Sequence, residues 1–349
     1  MNKSVGYVPI SRDLSHPADR RRLVFWAKAR GKSIEVRDLN SCDTIVFSEN
    51  SNFREIKKFR SKLKILDLVD AYLTPEGYFQ DLTRGFLKHT IGNQSGLVKP
   101  FSWDVQAACK SVDAIICSSI EQAQVIRKYN SEVHVILDSH DEFADLPFNQ
   151  DRLNLSSDHT YRLFWEGQAA TLGNLKEVDK ALLKILQKKV LTIDLVTDSE
   201  YFLMMNQFFR KPISNAIENL EPRVKQMVTF HKWSTDEVKN LAQKSNLALL
   251  PVKKKSEFQR LKPENRIHIM WRLGLPCLTS AIPSYVRVSE SVKQNFTCET
   301  TIEWEKKLND FMAEPDLGRE QVEAGKRYLS SFHSTNQLLA KWDRVLDNE

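Results

Sequence analysis

Lys262-Pro263-Glu264-Asn265-Arg266 leads into an apolar helical run, Ile267 to Leu273, that Gly274 stops. Cations at a helix start oppose the helix dipole. They become favourable when an anion such as a diphosphate sits among them and the free N–H groups of the first turn. A second place of the same kind is Trp165-Glu166-Gly167-Gln168, where an apolar run ends in a glycine that allows backbone to approach a ligand closely. Asp67-Leu68-Val69-Asp70 ends another apolar run, and two carboxylates there could bind sugar hydroxyls, act as a base toward an acceptor, or merely cap the following turn. Arg12 and Asp13, then Ser15-His16-Pro17 and Arg20-Arg21-Arg22, surround a helix start. There His16 could serve as a base or as a cap.

Such residues act together only if the chain brings strand ends and helix starts to one place. Short apolar runs alternate with amphipathic stretches, the pattern of βα units and parallel sheets. In the first half the strands are expected at Val5 to Ile10, Ser33 to Val36, Asp43 to Phe47, Lys64 to Leu68, Ala114 to Ser118 and Val133 to Leu137. Helices are expected at Ala18 to Arg30 and Ile120 to Tyr129. Residues 138–158 are polar and acidic, the best interdomain linker in the chain. A second alternation comes next, with strands at Tyr161 to Trp165, Val190 to Val196, Met227 to Phe230, Leu247 to Pro251 and Pro276 to Ser280. Its helices are Leu175 to Lys188, Thr235 to Lys244, Asn265 to Leu273 and a helical tail after Glu303.

The fold class is α/β, with two Rossmann-like domains facing a cleft and a C-terminal helical tail. The expected divisions are an N-terminal domain at 1–145, a linker at 146–158, a C-terminal domain at 159–325 and a terminal helix at 326–349. A chain of 349 residues has enough length for two such cores. Its 51 basic and 45 acidic residues leave a net +6, too weak for a nucleic-acid binder but compatible with an anionic ligand or membrane surface. Five widely spaced cysteines with no metal-type spacing imply free thiols in a reducing compartment. Residues 1–10 lack the apolar core of a signal peptide and no run suits a membrane span, so a cytoplasmic protein is expected. GxxxxGK[ST], GxGxxG after the first strand, HExxH and GxSxG are all absent, which removes the main support for phosphate-loop, dinucleotide, zinc-protease and serine-hydrolase chemistry. No metal and no cofactor is expected.

The order Phe230-His231-Lys232-Trp233-Ser234, Leu247 to Pro251, Lys262 to Arg266 and Leu273 to Tyr285 resembles the donor-binding half of retaining GT-B glycosyltransferases. Ala114 to Ser119 with Glu121-Gln122, and Val133 to Asp141, are similar to first-half elements of that family. The resemblance implies a nucleotide-sugar as co-substrate and a glycan or lipid-linked acceptor, in bacterial-type surface polysaccharide or glycolipid synthesis. It implies donor contacts from Gly167, Gln168, Lys262, Glu264, Asn265 and Arg266, with Asp67, Asp70 and Arg266 as catalytic residues and Arg12, His16 and His140 on the acceptor side. Departure of the nucleotide would be supported by cations without a metal. One departure from the family stands out: two glutamates eight positions apart are common there, and Leu261 and Ile269 occupy the corresponding positions. The alternatives are an epimerase of the same fold or a non-catalytic sugar-nucleotide binder. Basic runs at 57–64 and 253–255 would suit peripheral contact with the inner face of a membrane.

Overall fold

In the computed structural model, residues 4–347 are described except 93, 144, 155–159 and 205–207. The chain divides into two units. The first contains the chain to His140, Ser256–Pro263 and the stretch from His333 onward, and the second contains Asp141–Lys255 and Glu264–Phe332.

The first unit is built on a six-stranded, fully parallel sheet in the order β2-β1-β3-β4-β5-β6. Its strands are β1 (Val5–Val8), β2 (Ile34–Glu35), β3 (Thr44–Ser48), β4 (Leu63–Leu68), β5 (Ala114–Cys117) and β6 (Val133–Val135). β3 is buried at every position, as expected of an apolar run covered on both faces of a parallel sheet. One face packs Phe47, Phe53, Phe101 and Val105, and the other Tyr7, Leu23, Trp26 and the helix Thr335–Asp347 through Leu338, Leu339 and Trp342.

A single helix over 18–30 is not formed. Pro17–Arg20 and Leu23–Arg30 are separate helices, because Arg22 leaves helical geometry (φ −119°, ψ −110°) and turns its side chain into the core. Its guanidinium, fully buried, donates from Nε to both Asp67 oxygens (3.1 and 2.9 Å) and from Nη2 to Asp67 Oδ1 (2.6 Å). Nη1 donates to the Ile136 carbonyl (2.8 Å) and to Asp138 (3.1 Å). One cation thus joins the segment after β1 to the ends of β4 and β6.

The second unit has its own parallel sheet, ordered β11-β8-β7-β12-β13-β14, and an antiparallel hairpin of β9 and β10. Its strands are β7 (Tyr161–Glu166), β8 (Leu191–Thr197), β9 (Glu200–Met204), β10 (Phe208–Pro212), β11 (Val228–Lys232), β12 (Leu247–Leu250), β13 (Cys277–Ser280) and β14 (Thr297–Cys298). Where one helix was expected over 175–188, a 3-10 segment Ala169–Glu177 precedes the helix Asp179–Ile185. Gly274 (φ +65°) comes after the helix Asn265–Arg272, and a Cβ there would run into the Pro147 carbonyl, so only glycine makes this turn into β13.

The polar stretch over 138–158 is not free of contacts. Phe143 and Phe148 enter the core of the second unit, and buried Arg152 donates to the Ala242 and Ser245 carbonyls (2.7 Å each); residues 155–158 lie outside the described ones. The C-terminal tail forms three helices, Thr301–Ala313, Asp316–Phe332 and Thr335–Asp347. All five cysteines are buried and free.

Truncating Arg22 strands Asp67 as a buried, uncompensated carboxylate. Arg22→Ala is expected to cost ~3–5 kcal/mol of unfolding free energy in urea titrations; a loss below ~1 kcal/mol would show that the pair is not structural.

Candidate active site

With strands numbered in chain order and the hairpin omitted, the second sheet reads 3-2-1-4-5-6, the doubly wound arrangement in which the order reverses between the first and fourth strands. Here those strands are β7 and β12, and ligands in such sheets bind outside the carboxyl ends at that reversal. Glu166 and Gly167 close β7 at this point. The Gly167 carbonyl accepts from Thr197 Oγ1 (2.6 Å), and a Cβ at 167 would meet the Trp165 ring at 3.2 Å and Arg266 Cζ at 3.5 Å. A side chain at 167 would therefore crowd the Trp165 ring, while the backbone angle itself does not call for glycine.

Arg266 lies in the first turn of the helix Asn265–Arg272, its guanidinium 5.3 Å from the Trp165 ring centroid and its Nη2 donating to the Glu166 carbonyl. Among the described residues its buried Nε has no hydrogen-bond partner, and neither has Asn265 Oδ1. A planar cation held over an aromatic face, with a donor still unsatisfied at a helix start, is an arrangement that suits an anion. Glu166 Oε1 accepts from Trp233 Nε1 (3.1 Å), which ties the end of β11 to the same edge. Glu264 is buried (2% exposed) and its two oxygens lie 3.1 and 3.2 Å from the Arg287 guanidinium, so it shapes the helix start rather than presenting a free carboxylate. Gln168 is exposed.

Lys262, expected with Arg266 at the diphosphate, belongs to the first unit. Its ammonium pairs with Asp70, the Leu261 carbonyl accepts from Ser119 Oγ (2.8 Å), and Ser256 Oγ donates to Glu76. Ile269 is buried (2% exposed), in the core of the second unit.

In the first sheet the order reverses at β1, whose neighbours are β2 and β3. Asp67 and Asp70 do not act as a pair there. Asp67 is 2% exposed with both oxygens held by Arg22, whereas Asp70, just past the end of β4, is half-buried. Besides its ion pair with Lys262, Asp70 meets Glu49, a residue that no sequence motif marks. Glu49, immediately after β3, accepts from the Asp70 amide (3.2 Å), and the Tyr72 hydroxyl lies 3.4 Å from Glu49 and 3.5 Å from Asp70. Burial, and then the neighbouring Asp70 charge, push the Glu49 carboxyl up from 4.5 to about 7. Lys88 Nζ donates to Asn50 Oδ1 (2.9 Å), and burial, opposed by Glu49, pushes its ammonium down to about 8. Glu49 was within reach of the sequence, because it is the first residue past an apolar strand run; Lys88 lies on the helix Tyr78–Thr90, which has few sequence signals at its ends.

His16 caps Pro17–Arg20, its Nδ1 accepting from the Ala18 amide (3.2 Å), and burial lowers its pKa so that the ring is neutral at pH 7. Arg12 is exposed and His140 is buried (3% exposed), so these two do not present themselves alike.

Scans against protein-family models and against curated proteins find no match. Solved structures do match. HepE of Anabaena, in complex with UDP and glucose, aligns over 100% of both chains with a TM-score of 0.69 and 10% identity. The chain has the GT-B glycosyltransferase fold. A TarM variant of S. aureus, in complex with fondaparinux, alpha-GlcNAc-glycerol and UDP, aligns over 93% of this chain and 58% of its own at a TM-score of 0.58 and 10% identity. WaaG, a glycosyltransferase involved in lipopolysaccharide biosynthesis, covers 99% of this chain and 100% of its own at 0.54 and 11%. Among the described residues no helix of this GT-B chain is long and apolar enough to cross a membrane.

The raised Glu49 carboxyl makes a signed prediction. The unfolded chain ionises at this position near pH 4.5 and the folded one near 7, so the stability of the wild type relative to Glu49→Gln should fall as pH rises across that window and stay level above it. Urea unfolding at pH 4 to 8 measures this, and a difference that does not change with pH would contradict the assignment.

Proposed function

We propose that the protein is a glycosyltransferase that moves a sugar from a nucleotide-sugar to a glycan or lipid-linked acceptor. The carrying observation is Arg266: a guanidinium over the Trp165 ring, beside a glycine, at the order reversal of a sheet whose edge suits a phosphate. In this proposal Gly167 lets the diphosphate approach the backbone, and Asn265 and Gln168 orient it. Arg266 neutralises the charge that develops on the departing nucleotide, an electrostatic role that needs no metal to be named. Glu264 holds its place through Arg287.

Lys262 is held in an ion pair with Asp70, so Arg266 bears the diphosphate assignment. Glu49 and Asp70 are proposed to hold an acceptor hydroxyl, with His16, Arg12 and His140 on the acceptor side, and Asp67 supports them through Arg22. Retention of configuration, a role in surface polysaccharide or glycolipid synthesis and a cytoplasmic location come from the family resemblance and remain proposals with it. UDP in the HepE and TarM complexes makes uridine nucleotides the first donors to test.

A non-catalytic sugar-nucleotide binder is the second reading, favoured by Leu261 and Ile269 at the positions where glutamates are common in the family. An assay of sugar transfer and of donor hydrolysis decides between them. The wild type should turn over donor, and Arg266→Ala should do so ~10²- to 10³-fold more slowly, the usual cost of removing one stabilising donor from a developing anion. Nucleotide binding without turnover across an acceptor panel would establish the binder, and equal rates in both proteins would remove Arg266 from the site.

A further inference from the structure

Six of the twelve large apolar side chains exposed among the described residues fall within one stretch of the first unit, 78–103. Tyr78 (60% exposed), Phe79 (82%) and Phe86 (51%) lie on the helix Tyr78–Thr90, and Leu97 (79%), Val98 and Trp103 (54%) come after it. Nothing in the core demands these exposed aromatics. The helix turns Asp81, Gly85 and Lys88 inward, which leaves Phe79 and Phe86, one heptad apart, on the outward side.

The stretch is held as a built surface. The Ser102 amide donates to Asp81 (3.1 Å), and at Gly85 the helix rests directly on the backbone of Lys99, where any Cβ would collide. The helix Phe101–Cys109 is joined in turn to the segment before β4 by Phe53 stacked on Phe101 (5.6 Å) and by a two-point pair of Arg54 with Asp104 (2.8 Å each). That segment, 54–64, carries six cations and one acid, and Lys57, Lys58, Arg60 and Lys62 are exposed. Between 78 and 110 the only acids are Asp81 and Asp104, both buried, while Lys99 and Lys110 are exposed.

We propose that this face of the first unit docks on an anionic lipid surface, with Tyr78, Phe79, Phe86, Leu97 and Trp103 entering the headgroup layer and Lys57, Lys58 and Arg60 meeting lipid phosphates. The chemistry points to lipid over a protein partner because exposed aromatic rings, a basic border and a scarcity of exposed acid are what a charged bilayer interface favours. At 13 residues the helix lies on a bilayer and does not span it. The proposal does not rest on glycosyl transfer, since binding is measured without any sugar donor.

The experiment is co-sedimentation of the full chain with vesicles of phosphatidylcholine alone and with about a third phosphatidylglycerol. Binding to the anionic vesicles should be at least ~10-fold tighter, and should weaken by a similar factor in Lys57→Glu/Lys58→Glu and at high salt. Phe79→Ser/Phe86→Ser should lose ~10-fold or more on anionic vesicles with an unchanged unfolding midpoint, since both rings are already exposed. Equal affinity for both vesicle types, no binding by the wild type at millimolar lipid, or unchanged binding by the Phe79/Phe86 variant would overturn the proposal. So would a stable dimer in sedimentation that the same variant dissolves while vesicles capture neither protein, because the face would then be covered by a second copy.

Discussion

Everything in this protein depends on the parallel direction of its two six-stranded sheets. A fully parallel sheet delivers the ends of all its strands to one edge, so the segments after them gather there whatever their sequence. In the first unit this brings Asp19, Glu49, Asp67, Asp70 and Asp138 to the same region, a concentration of acid that a folded chain cannot leave uncompensated. Arg22 answers Asp67 and Asp138, Lys262 answers Asp70, and Asp19 is held by the Tyr7 hydroxyl (2.6 Å) and the Ile10 and Ser11 amides (2.9 Å each). Glu49 is raised first by its burial and then by the Asp70 charge, which Lys88 and Lys262 only partly offset.

The second sheet carries the opposite sign at its reversal. Arg266 rests on Trp165, which is fully buried, and on the Glu166 carbonyl, so its position is set by β7 and not by a flexible surface pair. The ring and the carbonyl hold the guanidinium in place, and its buried Nε has no hydrogen-bond partner among the described residues. Gly167 completes the arrangement by the absence of a side chain. Preorganisation of this sort is what lets a cation stabilise a departing phosphate at little further cost.

Most of the strands were legible because the inner strands of both sheets are buried on their two faces, which writes each of them as a short apolar run between turns. β7, β8, β11, β12 and β13 all stand near where the runs predict them, and Thr235–Lys244 was readable from Ser234 at its cap and its amphipathic period. What escaped had weak local marking. β14 has two residues, the helix Tyr78–Thr90 starts after a glycine without a side-chain cap, and the break at Arg22 is caused by Asp67, 45 positions away. The same holds at the site. Arg266, Gly167 and Asp70 stand out in the sequence by type and position, whereas the pairings of Arg22 with Asp67 and of Lys262 with Asp70 are long-range and no local pattern contains them.

The central claim is that the edge of the second sheet binds a nucleoside diphosphate through Arg266. Calorimetric titration with a panel of nucleoside diphosphates, beginning with UDP, tests it directly on the wild type and on Arg266→Ala. Saturable binding of at least one diphosphate is predicted, with much weaker binding of its monophosphate and a loss of ~10-fold or more in the variant, in keeping with a charge-assisted contact of ~1.5–3 kcal/mol. Equal affinity of the two proteins, or no diphosphate bound by the wild type at millimolar concentration, would contradict it.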